Sequence, residues 1–381
     1  MQRTLHIALI GAGNRAGKYL SCLPAGVQVD VVVDPDVLRL ERLLKSCPAA
    51  SGFARIEALP VTLQLDAVII AAPDNVHVPI AREAARRGWH ILMEKPVALN
   101  IQEYAVLMDA CKNVTVGVCL EMRLHPYYKR VKELLPRIGR IHSISHTEKI
   151  GADRMGHTFV RGLWASRRDA GPIFLSKCCH DTDFLLWLIG GAPVQVNSKG
   201  RLTRFKAENA PAGSTVRCLD CPLKDCPYNA VRLYRERQAW TDGFTPAVGE
   251  SLAQVIEREL QEGRYGRCVY RCNNDVYDYQ EVDVMLDSGV SLHICLDGLS
   301  IEEGRSTLIE GEEGTLRAEN WQFFLDDTPV ADYRHLAQEP LHAGADRALV
   351  EDFFNAIRSG TSPAASLTDA LPAHQICYLA Q

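Results

Sequence analysis

The chain has 381 residues, 47% of them hydrophobic and 23% charged, which excludes intrinsic disorder and fibrous or collagen-like classes and suits two domains with a real core. A formal net charge of -5 without a basic run excludes the electrostatic footprint of a nucleic-acid binder. No apolar run approaches the roughly 20 residues of a bilayer span, and Leu5–Ile10 is too short for a secretory core. The cysteines are therefore expected to be reduced thiols or ligands, and the protein cytoplasmic.

Leu5–Ile10 predicts a buried strand that ends in Gly11-Ala12-Gly13-Asn14-Arg15-Ala16, with a helix beginning at Lys18. Gly11 suits the tight turn, Gly13 the close approach of backbone N–H groups to a pyrophosphate, and Ala16 close helix–strand packing. Glycines also make ordinary turns, so context decides. A second strand, Val27–Val33, delivers Asp34 about twenty residues after the turn, where a carboxylate accepts from a ribose 2′-hydroxyl and repels a 2′-phosphate. That favours NAD over NADP, although Arg39 is near enough in sequence to offer a phosphate partner.

A strand at Asp66–Ala71 runs into Ala72-Pro73-Asp74-Asn75-Val76-His77 and a helix follows; His90–Met93 then delivers Glu94-Lys95-Pro96 to its C-terminal end. Strand–helix alternation of this kind predicts a doubly wound parallel sheet, with ligands beyond the strand ends. Lys95 is the first candidate to handle a hydroxyl proton, because a lysine crowded by cations or desolvated changes its pKa readily; as a plain strand-end feature, Glu94 and Lys95 form a surface ion pair. From about His142 the texture becomes period-two strands: Ile141–Lys149, Glu281–Leu286, Ser291–Leu296, and a hairpin of Ser306–Ile309 with Thr315–Ala318. Two helices, Ala345–Ile357 and Thr368–Leu379, close the chain.

The glycine turn, Ala72-Pro73 with His77, and above all Glu94-Lys95-Pro96 resemble the glucose-fructose oxidoreductase, inositol dehydrogenase and MocA (Gfo/Idh/MocA) family, and the resemblance continues through Arg123-Leu124-His125-Pro126 and Gly171–Asp183. It implies an α/β fold: an N-terminal Rossmann domain over 1–124 and a C-terminal α+β domain over 125–381 with a large, mostly antiparallel open sheet. The terminal helices have room to pack back on the first domain. It also implies an NAD-dependent oxidoreductase acting on a sugar, sugar derivative or cyclic polyol, and a homodimer or homotetramer. By the same resemblance Asn14, Arg15, Ala72, Pro73, Asn75, His77 and Glu94 flank the cofactor, while Asn14 also reads as a turn residue and His77 as a helix cap. Arg123, Tyr127 and Trp164 are candidates to meet the substrate.

On the helix predicted around Ser176-Lys177-Cys178-Cys179-His180-Asp181-Thr182-Asp183, His180 and Asp183 share a face, so the carboxylate can orient the imidazole. The family carries an aspartate four residues before this histidine; here Ser176 stands there, which can bond a sugar hydroxyl but is no carboxylate base. Proton handling then falls to Lys95 and His180, or Lys177 takes part. His180 also reads as a core-packed histidine at a helix start. Redox-neutral glycoside cleavage with tightly held NAD, and a non-catalytic nucleotide sensor, are the alternatives on the same fold.

An insertion over about 206–272 carries Cys218, Cys221 and Cys226 in a C-x2-C-x4-C pattern, with Cys268 and Cys272 later. Cys218, Cys221, Cys226 and Cys268 would suit a structural zinc; as ordinary thiols they would pack a loop-rich segment.

Overall fold

The computed structural model describes residues 3–241, 243–246 and 249–381. The chain divides into two compact units: residues up to Arg130 together with His335–Gln375, and Val131–Arg334 together with Ile376–Gln381.

The first unit is built on a six-stranded parallel sheet of β1 (Leu5–Ile10), β2 (Val27–Val33), β3 (Ser51–Phe53), β4 (Ala67–Ile70), β5 (His90–Met93) and β6 (Val116–Val118), in the order β3-β2-β1-β4-β5-β6. The strand order reverses between β1 and β4, the switch point where open parallel sheets bind ligands. β1 and β4 are apolar nearly throughout because helices cover both faces of such a sheet. Between strands run α1 (Asn14–Cys22), α2 (Val37–Leu44), α3 (His77–Arg86) and α4 (Ile101–Ala110). Asp36 caps α2 by accepting from the N–H groups of Leu38 and Arg39, and Asn100 caps α4 through Glu103 N–H. The helix Ala345–Ser359 lays Leu349, Val350, Phe353 and Phe354 into the same core as Leu9, Ile69 and Leu92.

Helix α1 begins at Asn14, four residues before the start expected at Lys18, because Gly13 serves as its N-cap in an extended conformation. Gly11 has φ +94°, and a Cβ there would lie 2.4 Å from the Ala71 carbonyl oxygen, so only glycine fits the turn.

The second unit is an eight-stranded sheet ordered β14-β13-β12-β11-β7-β10-β9-β8. Its strands are β7 (Ile141–Ile150), β8 (Pro193–Arg201), β9 (Tyr279–Leu286), β10 (Ser291–Asp297), β11 (Glu303–Gly311), β12 (Gly314–Glu319), β13 (Gln322–Leu325) and β14 (Thr328–Asp332). All neighbours are antiparallel except β7 and β10. The predicted β11–β12 hairpin is present, with Gly311 opposite Gly314. The long helix α5 (Ile173–Ile189) belongs to this unit and is buried along most of its length. No helix among the described residues is long and apolar enough to cross a membrane.

Candidate active site

In the first unit the glycine turn and the end of β2 meet through Asp34. Its Oδ2 accepts from Ala12 N–H at 2.7 Å and its Oδ1 from Asp36 N–H at 2.8 Å, and the residue is buried. This fixes a carboxylate at the mouth of the turn with lone pairs left on both oxygens. A Cβ at Gly13 would meet no atom within 4 Å, so the space in front of the α1 N-terminus is open where a pyrophosphate would rest. The residues present fit a dinucleotide. Asn14 and Asn75 are exposed, as is Pro73, and Ala72 is half-buried.

Arg15 and Glu94 turn toward each other. Arg15 Nε donates to Glu94 Oε1 at 2.6 Å, and Nη2 donates to Asp346 Oδ1 at 2.9 Å and to Tyr19 Oη at 2.6 Å. Tyr19 in turn donates to Glu94 Oε1 at 2.5 Å. Burial opposes the Glu94 charge, yet Arg15 and Tyr19 hold its pKa below the ordinary value. Asp346, likewise buried, is held well down by His342 and Arg15. The cluster ties α1 and the end of β5 to the helix Ala345–Ser359.

His77 is fully buried, and it makes no cap bond at the start of α3. Its Nδ1 lies 2.8 Å from Pro96 O and its Nε2 2.9 Å from Ala72 O, which staples the end of β4 to the turn carrying Lys95. Lys95 is half-buried and its peptide bond to Pro96 is cis. On the other side of this turn Val97 N–H donates to His374 Nε2 at 3.1 Å, while His374 Nδ1 donates to Ala370 O at 2.8 Å. Burial pulls the His374 pKa down to about 4, so this imidazole is neutral.

Arg123 is buried and donates to the carbonyls of Ala364 and Asp369, at 3.0 and 3.3 Å. Tyr127 is buried edge-on to Tyr128. These contacts tie both residues to neighbours within the first unit.

In the second unit Lys177 and His180 lie on α5, with Lys177 buried and His180 half-buried. Lys177 Nζ lies 2.5 Å from Glu148 Oε1 on β7. Arg305 on β11 bridges Glu148 Oε2 at 2.7 Å and Asp181 Oδ1 at 2.6 Å. His146, two residues before Glu148, places Nε2 3.1 Å from Asp181 and Nδ1 2.9 Å from Thr307 Oγ1. Burial lowers the Lys177 pKa against the pull of Glu148. Burial also opposes the Asp181 charge, but Arg305 and His146 outweigh it and hold that carboxylate well below its usual value.

Asp183 is buried three residues along the same helix from His180. Ser176 is buried and donates back to Ile173 O at 3.3 Å, so it behaves as a helix hydroxyl. Trp164 is half-buried in a short turn that follows the π-helical segment Met155–Arg161. Glu148, Asp181, His146 and Arg305 escaped the sequence reading. The available signal was β7 itself: Ile144, His146, Glu148 and Ile150 share its buried face, and two of those four are polar.

The zinc clasp expected in the insertion is not preformed. Among the described residues no set of three or more His, Cys, Asp or Glu side chains is gathered to hold a metal ion, and every cysteine is a free thiol.

The first unit is thus a Rossmann unit that fits a dinucleotide, and the second an open, mostly antiparallel sheet that backs a buried Lys–Glu pair. Residues 5–121 match the family model described as "Oxidoreductase family, NAD-binding Rossmann fold". The match covers the first third of the chain and bears out the resemblance to the Gfo/Idh/MocA family that Glu94-Lys95-Pro96 carried. It is 24% identical to the inositol 2-dehydrogenase of Corynebacterium glutamicum over 52% of this chain and 58% of that one. It is 27% identical to an uncharacterized oxidoreductase of Synechocystis over 49% of this chain and 52% of that one. The chain thus spans little more than half the length of these relatives.

The fold is shared over the whole chain. An Agrobacterium radiobacter oxidoreductase, solved with NAD+, L-tartaric acid and magnesium, aligns with TM-score 0.70 at 15% identity over 99% of this chain and 96% of that one. The WlbA dehydrogenase of Bordetella pertussis, solved with NADH and UDP-GlcNAcA, aligns with TM-score 0.69 at 16% identity over 99% and 95%.

Proposed function

We propose that the chain is an NAD-dependent oxidoreductase that moves a hydride between nicotinamide and a secondary hydroxyl of a sugar, sugar derivative or cyclic polyol. The observation that carries this reading is Asp34, held by Ala12 and Asp36 N–H groups at the mouth of the glycine turn, where a carboxylate receives ribose hydroxyls and disfavours a 2′-phosphate. The inositol 2-dehydrogenase likeness supports the substrate class.

A bound nicotinamide dinucleotide, held by the glycine turn and Asp34, would supply the hydride acceptor. The chain's own residues must take the hydroxyl proton. Lys95, on the turn stapled by His77 and braced by His374, is the first unit's residue to receive it at Nζ, and His180, with Asp183 on the same helix to orient its ring, is the second unit's own proton-handling histidine. Lys177 supplies what Ser176 cannot. Burial lowers its pKa, so Nζ, 2.5 Å from Glu148 Oε1, sheds and regains a proton more readily than a surface lysine does. A homo-oligomer belongs to the same reading.

The test is NADH absorbance with purified protein, NAD or NADP, and a panel of monosaccharides, uronic acids and inositols, with nitrophenyl glycosides in parallel. NADH growth with NAD is the expected result. Nitrophenol release without net NADH would replace the reading by redox-neutral glycoside cleavage, and nucleotide binding with silence in both channels by a sensing role.

A further inference from the structure

The insertion in the second unit has little regular structure beyond the helix Leu252–Gln261 and the π-helical turn Val231–Glu236. Its own apolar cluster is small, centred on Leu233, Tyr234, Val255 and Leu260. Segments this small are seldom held by apolar burial alone and commonly need a covalent or metal staple. No disulfide supplies one here.

What the insertion has is a sulfur-lined cavity. Cys218, Cys221 and Cys226 from one segment and Cys268 from another line the same space, about 20 Å³ in volume, room for one or two water-sized bodies and far less than an iron–sulfur cluster needs. The two segments are brought together by backbone pairing: Cys218 N–H donates to Gly266 O and Cys268 N–H to Val216 O, each at 2.9 Å. The neighbouring residues Arg217 and Arg267 form an antiparallel bridge.

One contact marks the sulfurs as more than packing: Cys218 faces Arg161 Nη2 at 3.5 Å.

Arg161 is the independent observation. It is 4% exposed and lines the cavity. It donates to the carbonyls of Arg267 and Tyr228, at 2.7 and 2.6 Å, to the Cys218 sulfur, and to the Tyr234 hydroxyl. Carbonyls satisfy its N–H groups but do not neutralise a buried charge, and neutral thiols would not either.

We propose that this cavity takes up one thiophilic divalent cation, zinc, through Cys218, Cys221, Cys226 and Cys268, with Arg161 as the counter-charge. The four thiols lose their protons to solvent and form four zinc–sulfur bonds without any change of oxidation state. The resulting centre carries a net double negative charge, and Arg161 meets one half of it. Because the sulfurs are not gathered beforehand, uptake draws the Cys218–Cys226 loop inward and staples the insertion. Cys272 lies outside the set, since its Sγ donates to Cys268 O at 3.4 Å. None of this rests on the proposed redox chemistry.

The experiment uses the full chain, purified without chelator or polyhistidine tag. Elemental analysis should give about one zinc per chain, and replacement by cobalt should give the thiolate charge-transfer and tetrahedral d–d bands of a sulfur-ligated ion. Cys226→Ser should abolish those bands, and Arg161→Gln should weaken zinc retention about tenfold to a hundredfold while leaving the bands in place. Should the cysteine variant fail to fold, the wild-type chain melted with and without a zinc chelator gives the same answer, with a lower melting temperature expected after chelation. Zinc far below one per chain with no cobalt band and freely titrating thiols overturns the proposal. Undiminished zinc in a folded Cys226→Ser protein overturns it as well.

Discussion

The two buried ionic clusters are made of the same materials and end in different electrical states. In the first unit a single guanidinium, Arg15, is forked between Glu94, Asp346 and Tyr19, and both carboxylates are held in their charged forms. In the second unit two cations, Lys177 and Arg305, share Glu148 and Asp181, and Lys177 is the member whose charge burial weakens. A permanently charged arginine saturated by carboxylates holds backbone elements in place. A buried lysine against one carboxylate has a proton it can give up.

The comparison is most severely tested at Lys177. Lys177→Met should lower kcat by about 10²–10⁴-fold, the usual worth of a positioned acid or base, on any substrate the panel reveals. The fold should survive, because Arg305 still pairs with Glu148 at 2.7 Å. Full kcat in a folded Lys177→Met protein would make the second cluster scaffold like the first. Arg15→Leu should act in the opposite sense. Stranding buried Glu94 and Asp346 should cost about 3–5 kcal/mol in denaturant unfolding, part of it relieved by His342, which lies 3.0 Å from Asp346. If stability holds and NAD affinity alone falls, Arg15 is a cofactor contact and the contrast between the clusters collapses.

The clusters also show which parts of the molecule were legible in the sequence. β1, β2 and β5 were read to the residue, since buried parallel strands are unbroken apolar runs with sharp ends. β3 and β6, three residues each, carry too little pattern to detect. Lys177 and His180 were visible as polar residues in one helical turn, but Arg305 lies on β11, more than a hundred residues away, and Glu148 reads as one of several charges on an alternating strand. Their meeting is set by β11 pairing with β7, with Arg305 opposite Glu148, a register no local pattern encodes. Arg123 shows the converse limit: composition does not reveal that an arginine donates to the carbonyls of Ala364 and Asp369 in its own unit.

Each unit also carries a histidine that burial keeps neutral, which gives the comparison a readout in pH. His374 in the first unit and His157 in the second both have pKa values pulled down to about 4, chiefly by burial. Below the ordinary histidine value the unfolded chain binds a proton that the folded chain refuses. Stability should therefore fall as pH drops from about 6.5 to about 4, by up to roughly 3 kcal/mol per histidine, and that slope should flatten below. His374→Gln and His157→Gln, melted across this range, should each remove part of the slope. An unchanged slope in either variant would mean that its ring titrates normally.

The smallest effect belongs to Asp34, yet it bears directly on the cofactor. Asp34→Ala removes a carboxylate that receives Ala12 N–H at 2.7 Å and, in the proposed reading, the ribose hydroxyls. Losing a hydrogen bond to a charged group costs about 1.5–3 kcal/mol, roughly tenfold to a hundredfold in NAD affinity. NADP affinity should fall less or rise, because the same change removes the repulsion of a 2′-phosphate. Loss of the Ala12 bond alone would loosen the glycine turn and weaken both nucleotides equally. The NAD-to-NADP ratio, measured by equilibrium titration, separates the two: a reduced ratio places the ribose at Asp34, and an unchanged ratio leaves Asp34 as a brace for the turn.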